Sequence, residues 1–344
     1  MMYVHSRNLY YQNHGVDVTE LNFRARESYL FQGIRVITFT DYKKDPQRYD
    51  LLVLHAANIK HHYYFLKKYG YRFSKFLFFY HGHEIIKRSK SYPDPYPFEK
   101  MNIIKRMLRD VYDDFKLNVW RHYLPKVINK SWLVFVSALM QDEFYRWTHI
   151  SKKLVGKRYQ ITYNCVGKKF EEKQYDVNVE KKYDFITIRN NLDGSKYSMD
   201  IVNRISRNTP AAKFLVVGKG KFFSVYEKAQ NIEWWDMAMT HDEIIRTLNM
   251  SRFALMPTRQ DTQGVMACEM AAYGIPLITS DIPVCHEIFD ECRNVWFIDN
   301  KKDSDLTEFL RLKPTPVKDD RYYEERTVSK EVALITALCE KQDG

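Results

Sequence analysis

Short apolar runs, each entered from a turn and left through a polar residue, recur along the chain. Tyr49-Asp50-Leu51-Leu52-Val53-Leu54-His55 is one, and Phe76-Leu77-Phe78-Phe79-Tyr80-His81-Gly82-His83 repeats the plan. Runs of that length without alternation predict parallel strands buried on both faces. Gly33 to Thr40 predicts an earlier strand, reached through a helical stretch from about Val16, and Trp132-Leu133-Val134-Phe135-Val136 a later one, followed by a helix through Met140 to Trp147. Between them, Lys100 to Lys130 places Ile103, Ile104, Met107, Leu108, Val111, Tyr112, Phe115 and Val119 at three/four spacing. That spacing predicts one or two amphipathic helices, with a mostly basic polar face.

The pattern restarts near Ile161-Thr162-Tyr163-Asn164. Strands are predicted at Phe185–Arg189, Phe214–Gly218, Asn231–Trp234, Phe253–Pro257 and Pro276–Thr279, with helices at about Met199–Ser206, Thr240–Asn249 and Gln263–Tyr273 between them. Two α/β alternations predict two doubly wound domains, 1–165 and 166–320, whose ligands bind beyond the carboxyl ends of the strands. His81, Arg189, Gly218 and Asp261 fall at such ends. Lys313-Pro314-Thr315-Pro316 reads as a stiff connector. A final helix from Glu324 to Glu340, in a tail of 321–344, is expected to pack back toward the first domain.

At 344 residues the chain exceeds what one ordinary core supports, which agrees with two domains. A 45% hydrophobic fraction with 15% aromatics excludes a disordered chain. No apolar run approaches the length of a membrane span, and the start Met-Met-Tyr-Val-His-Ser-Arg lacks the basic and apolar regions of a secretion signal. Cysteines 165, 268, 285, 292 and 339 show no metal-ligand spacing and read as reduced packing thiols of a cytoplasmic protein. The net charge of +11 is unevenly spread: residues 1–165 carry 28 Lys and Arg against 14 Asp and Glu, and residues 166–344 carry 26 against 29. The basic half is expected to meet something anionic, a phospholipid surface, a lipid pyrophosphate or a nucleic acid, or to be a solvated surface without a partner.

Residues 257–288 carry the most chemistry. Asp261 and Glu269 stand eight apart across Gly264, which opens a helix of short side chains. A glycine turn at a helix mouth presents free N–H groups and a positive dipole end, suited to phosphate. A carboxylate farther along can accept two hydrogen bonds from a diol such as ribose. Together they predict a site for a nucleotide-bearing donor.

With these residues placed, the chain resembles retaining glycosyltransferases of the GT-B fold that carry an E-x7-E motif. Pro257-Thr258-Arg259-Gln260-Asp261-Thr262-Gln263-Gly264 and Glu269-Met270-Ala271-Ala272-Tyr273-Gly274-Ile275-Pro276-Leu277 stand where members read Pro-Ser-x-x-Glu-Gly-Phe-Gly and Glu-Ala-x-x-x-Gly-x-Pro-Val. The resemblance implies two Rossmann-like domains facing a cleft. It assigns Glu269 to the ribose hydroxyls and Asp261 to hydroxyls of the donor sugar, with Gln263, Gly264 and Val265 on the donor as well. Asp261 departs from the family glutamate by one methylene, and Thr262-Gln263 replace Gly-Phe, which puts the sugar preference in question. Arg189 and Lys196 match the pair that neutralises the departing diphosphate without a metal. His81 matches a histidine facing the donor sugar from the first domain. Gly15, in His14-Gly15-Val16-Asp17, stands in place of a Gly-Gly-x-Glu loop, and Gly218, in Gly218-Lys219-Gly220, in place of a Gly-x-Gly. Trp234-Trp235 reads as core or site wall.

The expected function is retaining, metal-independent transfer of a sugar, with a UDP-sugar as donor and no other cofactor. The expected acceptor is a lipid-linked saccharide of capsule or exopolysaccharide synthesis at the inner face of the membrane. The helices of residues 100–130 would serve as a peripheral anchor. Transfer to DNA or a teichoic-acid-like polymer remains open, as does a non-catalytic protein binding nucleotide-sugar or nucleic acid.

Overall fold

The computed structural model describes residues 2–45, 47–313 and 315–340, with the side chains of Met2 and Tyr3 excepted. Pro314 of the predicted connector and the last four residues of the predicted tail lie outside them. The chain forms two compact units. The first comprises residues 1–87, 111–164 and 324–344, and the second comprises 88–110 and 165–323.

The second unit is built on six parallel strands: β8 (Tyr183–Asn191), β9 (Phe214–Lys219), β10 (Ile232–Trp235), β11 (Ser251–Leu255), β12 (Leu277–Ser280) and β13 (Val295–Ile298). Their order is β10-β9-β8-β11-β12-β13. The chain winds outward from β8 in one direction, returns to its other side at β11 and winds outward again, which is the doubly wound arrangement with its switch point between β8 and β11. Phe185, Val216, Phe253, Leu255 and Ile278 fill the core under the helices. The excursion 88–110, which the strand pattern alone assigns to the first domain, joins this unit through Tyr96. The Tyr96 hydroxyl donates to Asp200 Oδ1 at 2.6 Å, and its ring packs on Phe222.

The first unit has two sheets. Strands β4 (Tyr49–His55), β5 (Phe73–Tyr80), β6 (Ser131–Phe135) and β7 (Tyr159–Ile161) are parallel in that order. Strands β1 (Thr19–Asn22), β2 (Tyr29–Phe31) and β3 (Ile34–Thr38) form the second, ordered β1-β3-β2. The helical stretch expected from Val16 is therefore two strands. The buried residues Ile34, Val36 and Ile37 make β3 a central strand whose backbone needs partners on both edges, and this tertiary demand overrides the local pattern. Gln32 and Gly33, with φ of 48° and 86°, form the two-residue turn that joins β2 to β3.

A helix the pattern did not predict, Met2–Asn13, precedes these strands. It buries Arg7 and Tyr11 against the C-terminal helix Val328–Glu340, where Arg7 Nε bonds both oxygens of Glu331 at 3.1 and 3.2 Å. The 100–130 region is one helix, Ile103–Val127. Among the described residues no helix is long and apolar enough to cross a membrane. All five cysteines are free thiols, with Cys268 and Cys285 buried.

Candidate functional site

The carboxyl ends of β8 and β11, at the switch point, hold most of the predicted residues. Arg189 ends the buried part of β8 and is 7% exposed. Its Nη2 donates to the Pro257 carbonyl at 2.8 Å, which ties it to the loop after β11, while its Nε has no hydrogen-bond partner among the described residues. Burial lowers its pKa and the nearby Asp261 carboxylate opposes that. A buried guanidinium with an unused donor is costly unless a further acceptor arrives. Lys196 follows in the turn Ser195–Tyr197, and its ammonium sits 4.7 Å from the Tyr197 ring centroid, with the Arg189 guanidinium 5.5 Å from the same ring. One aromatic ring thus holds both cations. The Lys196 carbonyl accepts from Arg259 N at 2.9 Å and Thr258 Oγ1 at 3.0 Å, and Thr258 N donates to Ser280 Oγ at 2.8 Å. Three strand ends are pinned together in this way.

Asp261 belongs to the loop after β11. Its Oδ1 accepts from the backbone N–H of Thr262 at 2.8 Å and of Gln263 at 3.4 Å. Gly264, with φ 77°, is left-handed and opens the helix Val265–Tyr273 without a side-chain cap. The first two N–H groups of that helix, on Val265 and Met266, have no acceptor among the described residues. A small cleft is lined by Arg189, Thr258, Asp261, Gly264 and Cys285 together. Gln263 lines the same cleft; its side chain is buried, with Nε2 donating to Cys268 Sγ at 3.6 Å.

Glu269 lies on the same helix and is buried. Desolvation raises its pKa from 4.5 to about 7, partly offset by the N–H of Gly167. His241 Nε2 is 3.9 Å from Glu269 Oε1. Gly167 permits this approach, because a Cβ there would stand 2.6 Å from His241 Cε1. Gly218 serves a similar purpose beneath Arg189: a Cβ would lie 2.1 Å from the Arg189 carbonyl oxygen. The Gly218 carbonyl accepts from Trp234 Nε1 at 2.9 Å, so that tryptophan braces the wall of the site.

In the first unit, His81 follows β5. Burial, then Arg7, pushes its pKa down to about 3, so the ring is neutral near pH 7. His81 Nε2 lies 3.2 Å from His55 Nδ1, which links the ends of β5 and β4. The Glu84 carboxylate accepts from the N–H groups of His81 and Gly82, and Lys116 Nζ bonds the carbonyls of His83 at 2.7 Å and Ile86 at 3.0 Å. These bonds hold the loop after β5 rigid. Gly15 is in the turn after the N-terminal helix, with φ 84° and open space where a side chain would point.

Tyr197, Gly167, His241 and His55 were not singled out from the sequence. The Thr240–Glu243 capping box, which puts His241 at a helix N-terminus, is the only local signal for any of them. The others are defined by contacts between distant segments.

The arrangement is that of the GT-B fold. The structure is similar to sucrose-phosphate synthase from Thermosynechococcus elongatus, with a TM-score of 0.64 and 12% identity over 98% of this chain and 88% of that one. It is also similar to WaaG, a glycosyltransferase involved in lipopolysaccharide biosynthesis, with a TM-score of 0.58 and 13% identity over 99% and 92%. A third similar structure, trehalose-6-phosphate from E. coli bound with UDP-2-fluoro glucose, gives a TM-score of 0.57 and 9% identity over 96% and 91%. No curated protein matches the chain. Residues 185–311, which run from within β8 past β13 and include Arg189, Lys196, Asp261 and Glu269, match the family of glycosyl transferases group 1.

Proposed function

We propose that the chain is a retaining, metal-independent glycosyltransferase that moves a sugar from a UDP-sugar to a lipid-linked saccharide, in capsule, exopolysaccharide or related glycan synthesis at the cytoplasmic face of a membrane. The observation that carries this reading is the pairing of Arg189 and Lys196 around Tyr197 beside an uncapped helix mouth. A nucleoside diphosphate gains negative charge on its outer phosphate as the sugar C1–O bond breaks. Two cations held in place beforehand stabilise that charge without a bound metal. The open N–H groups of Val265 and Met266 suit the phosphate or the sugar. In the step itself the acceptor hydroxyl oxygen bonds to C1, the C1–O bond to phosphate breaks, and the hydroxyl proton passes to the departing phosphate. In retaining enzymes of this kind both events occur on one face of the sugar.

Glu269 is suited to the ribose, because a buried carboxylate with few donors is stabilised by two hydroxyl hydrogens. Asp261 has one oxygen committed to backbone N–H groups, which aims the carboxylate and suits it to hydroxyls of the sugar. Neutral His81 suits a polar contact to an uncharged sugar. UDP is favoured as the nucleotide by the similar E. coli structure, which binds UDP-2-fluoro glucose. A lipid-linked acceptor is favoured by the basic first half of the chain and by the likeness to a protein of lipopolysaccharide biosynthesis.

Thermal shifts with UDP-, GDP- and dTDP-sugars test the donor, since a ligand that binds only the folded state raises Tm by mass action. Stabilisation by UDP-sugars alone is expected, and a larger shift with another nucleotide overturns the UDP assignment. Proton NMR of the product reads the anomeric configuration, and an inverted product overturns retention.

A further inference from the structure

The helix Ile103–Val127 carries an apolar face that no other described residue covers. Ile103, Ile104, Met107, Leu108 and Val111 are 62–72% exposed, and Tyr112 and Phe115 are 44% and 51% exposed. Seven large apolar side chains lie within thirteen residues of one unbroken helix. At 100° per residue they occupy a sector of about 180°, and they extend about 18 Å along the axis. Isolated exposed apolar residues are ordinary, but a contiguous set of this size marks an interaction surface.

The width and the charge say what it meets. A seam between two helices is a narrow stripe at positions repeating every 3.5 residues, whereas half of a cylinder is what a helix lying in a bilayer interface presents. Lys105 falls just outside one edge of the sector with Arg109 one turn on, Arg106 lies beyond the other edge, and Lys100 precedes the helix. Their stems can lie along the apolar face while their charged ends reach lipid phosphates. Asp114, the carboxylate within the sector, is neutralised by Lys87, whose Nζ bonds its two oxygens at 2.6 and 2.7 Å. Asp113, on the far side, is buried with Lys116 at 2.9 Å. The face toward the lipid is thus flanked by four cations, Lys100, Lys105, Arg106 and Arg109, against one half-buried carboxylate, Asp110, whose Oδ1 has no hydrogen-bond partner among the described residues.

We infer that residues 101–115 lie in the headgroup region of an anionic bilayer, with the helix axis parallel to the membrane and Ile104, Val111 and Phe115 deepest. This deepens the lipid-linked acceptor reading and rests on it for its purpose: a helix held in the interface keeps the protein where such an acceptor's sugars are.

The full chain is to be sedimented with vesicles of phosphatidylcholine, alone and mixed with phosphatidylglycerol. Binding to the mixed vesicles is expected, weakened by roughly 100-fold in I104E/L108E because two anchoring side chains are lost. In K105Q/R109Q the loss should be about fivefold per cation and confined to the anionic vesicles. Ile104, Leu108 and Lys105 are exposed and Arg109 is half-buried, and both variants should bind UDP in calorimetry as the parent does, which shows that they fold. Failure of the parent chain to bind anionic vesicles overturns the inference. So does vesicle binding that I104E/L108E leaves unchanged, or a dimer in sedimentation equilibrium that this variant dissolves without any vesicle binding. If no nucleotide binds any form of the chain while the vesicle results hold, the glycosyltransferase reading fails and the membrane surface stands.

Discussion

The carboxyl of Glu269 allows a prediction that joins stability, protonation and donor binding. Burial holds its pKa at about 7 against an ordinary 4.5. An acid raised in the folded state stabilises the fold relatively while it stays protonated, and that advantage is lost as pH rises from the unfolded value through the folded one. Between pH 5 and pH 8 the loss is roughly 2 to 3 kcal/mol from this residue alone. Glu269→Gln keeps an acceptor for the Gly167 N–H and removes the titration. Urea unfolding should therefore show the variant gaining about that much relative to the parent between the two pH values. Ribose hydroxyls donate to the ionised form, so UDP should take the carboxylate and release close to one proton at pH 6. The apparent affinity should then fall about tenfold for each pH unit below 7, as the competent fraction shrinks. Calorimetry in buffers of different ionisation enthalpy measures that proton directly. A stability difference between parent and Glu269→Gln that does not change with pH would refute the desolvation argument. Proton release that persists in Glu269→Gln would refute the ribose assignment while leaving the desolvation argument intact.

Other outcomes can be checked on the same preparations. Arg189→Ala should lower turnover by about 100- to 1000-fold, the usual cost of removing one donor that stabilises transition-state charge, with a much smaller effect on UDP affinity; equal losses in both argue against that role. Gly218→Ala puts a methyl 2.1 Å from the Arg189 carbonyl and should lower Tm and donor binding together, and a variant that melts and binds like the parent would show that the strand ends can part there at no cost. Glu331→Ala leaves the buried Arg7 without its carboxylate and should cost about 3–5 kcal/mol in denaturant unfolding, whereas the double change Arg7→Met with Glu331→Leu should recover most of it.

The legible parts of this protein are those coded by local burial. Strands β5 and β6 and the core of the second sheet are continuous apolar runs because both of their faces are covered, and such a run is visible without knowing its neighbours. The segment 16–31 was misread because it carries no buried run: Thr19–Asn22 are half-buried and Tyr29–Phe31 exposed. Its strands exist to pair with β3, a non-local reason. The N-terminal helix was missed because its buried face includes Arg7, whose partner Glu331 is 324 residues away. The Asp261–Glu269 block was legible because a glycine turn, a helix and two carboxylates fall within one short stretch.

The sequence by itself determined the α/β alternation, the helix with a glycine at its mouth, the two carboxylates eight apart, and the basic excess of the first half. Only the tertiary structure decided that β8 and β11 are neighbours, and with them Arg189, Lys196 and Asp261. It also decided that Glu269 is buried beside His241 and Gly167, and that the apolar face of Ile103–Val127 faces outward. The physical reason is one of range. Periodicity records whether each residue is covered, but not by what. Strand order, shared aromatic rings and desolvated carboxylates are properties of segments that meet only when the chain has closed on itself.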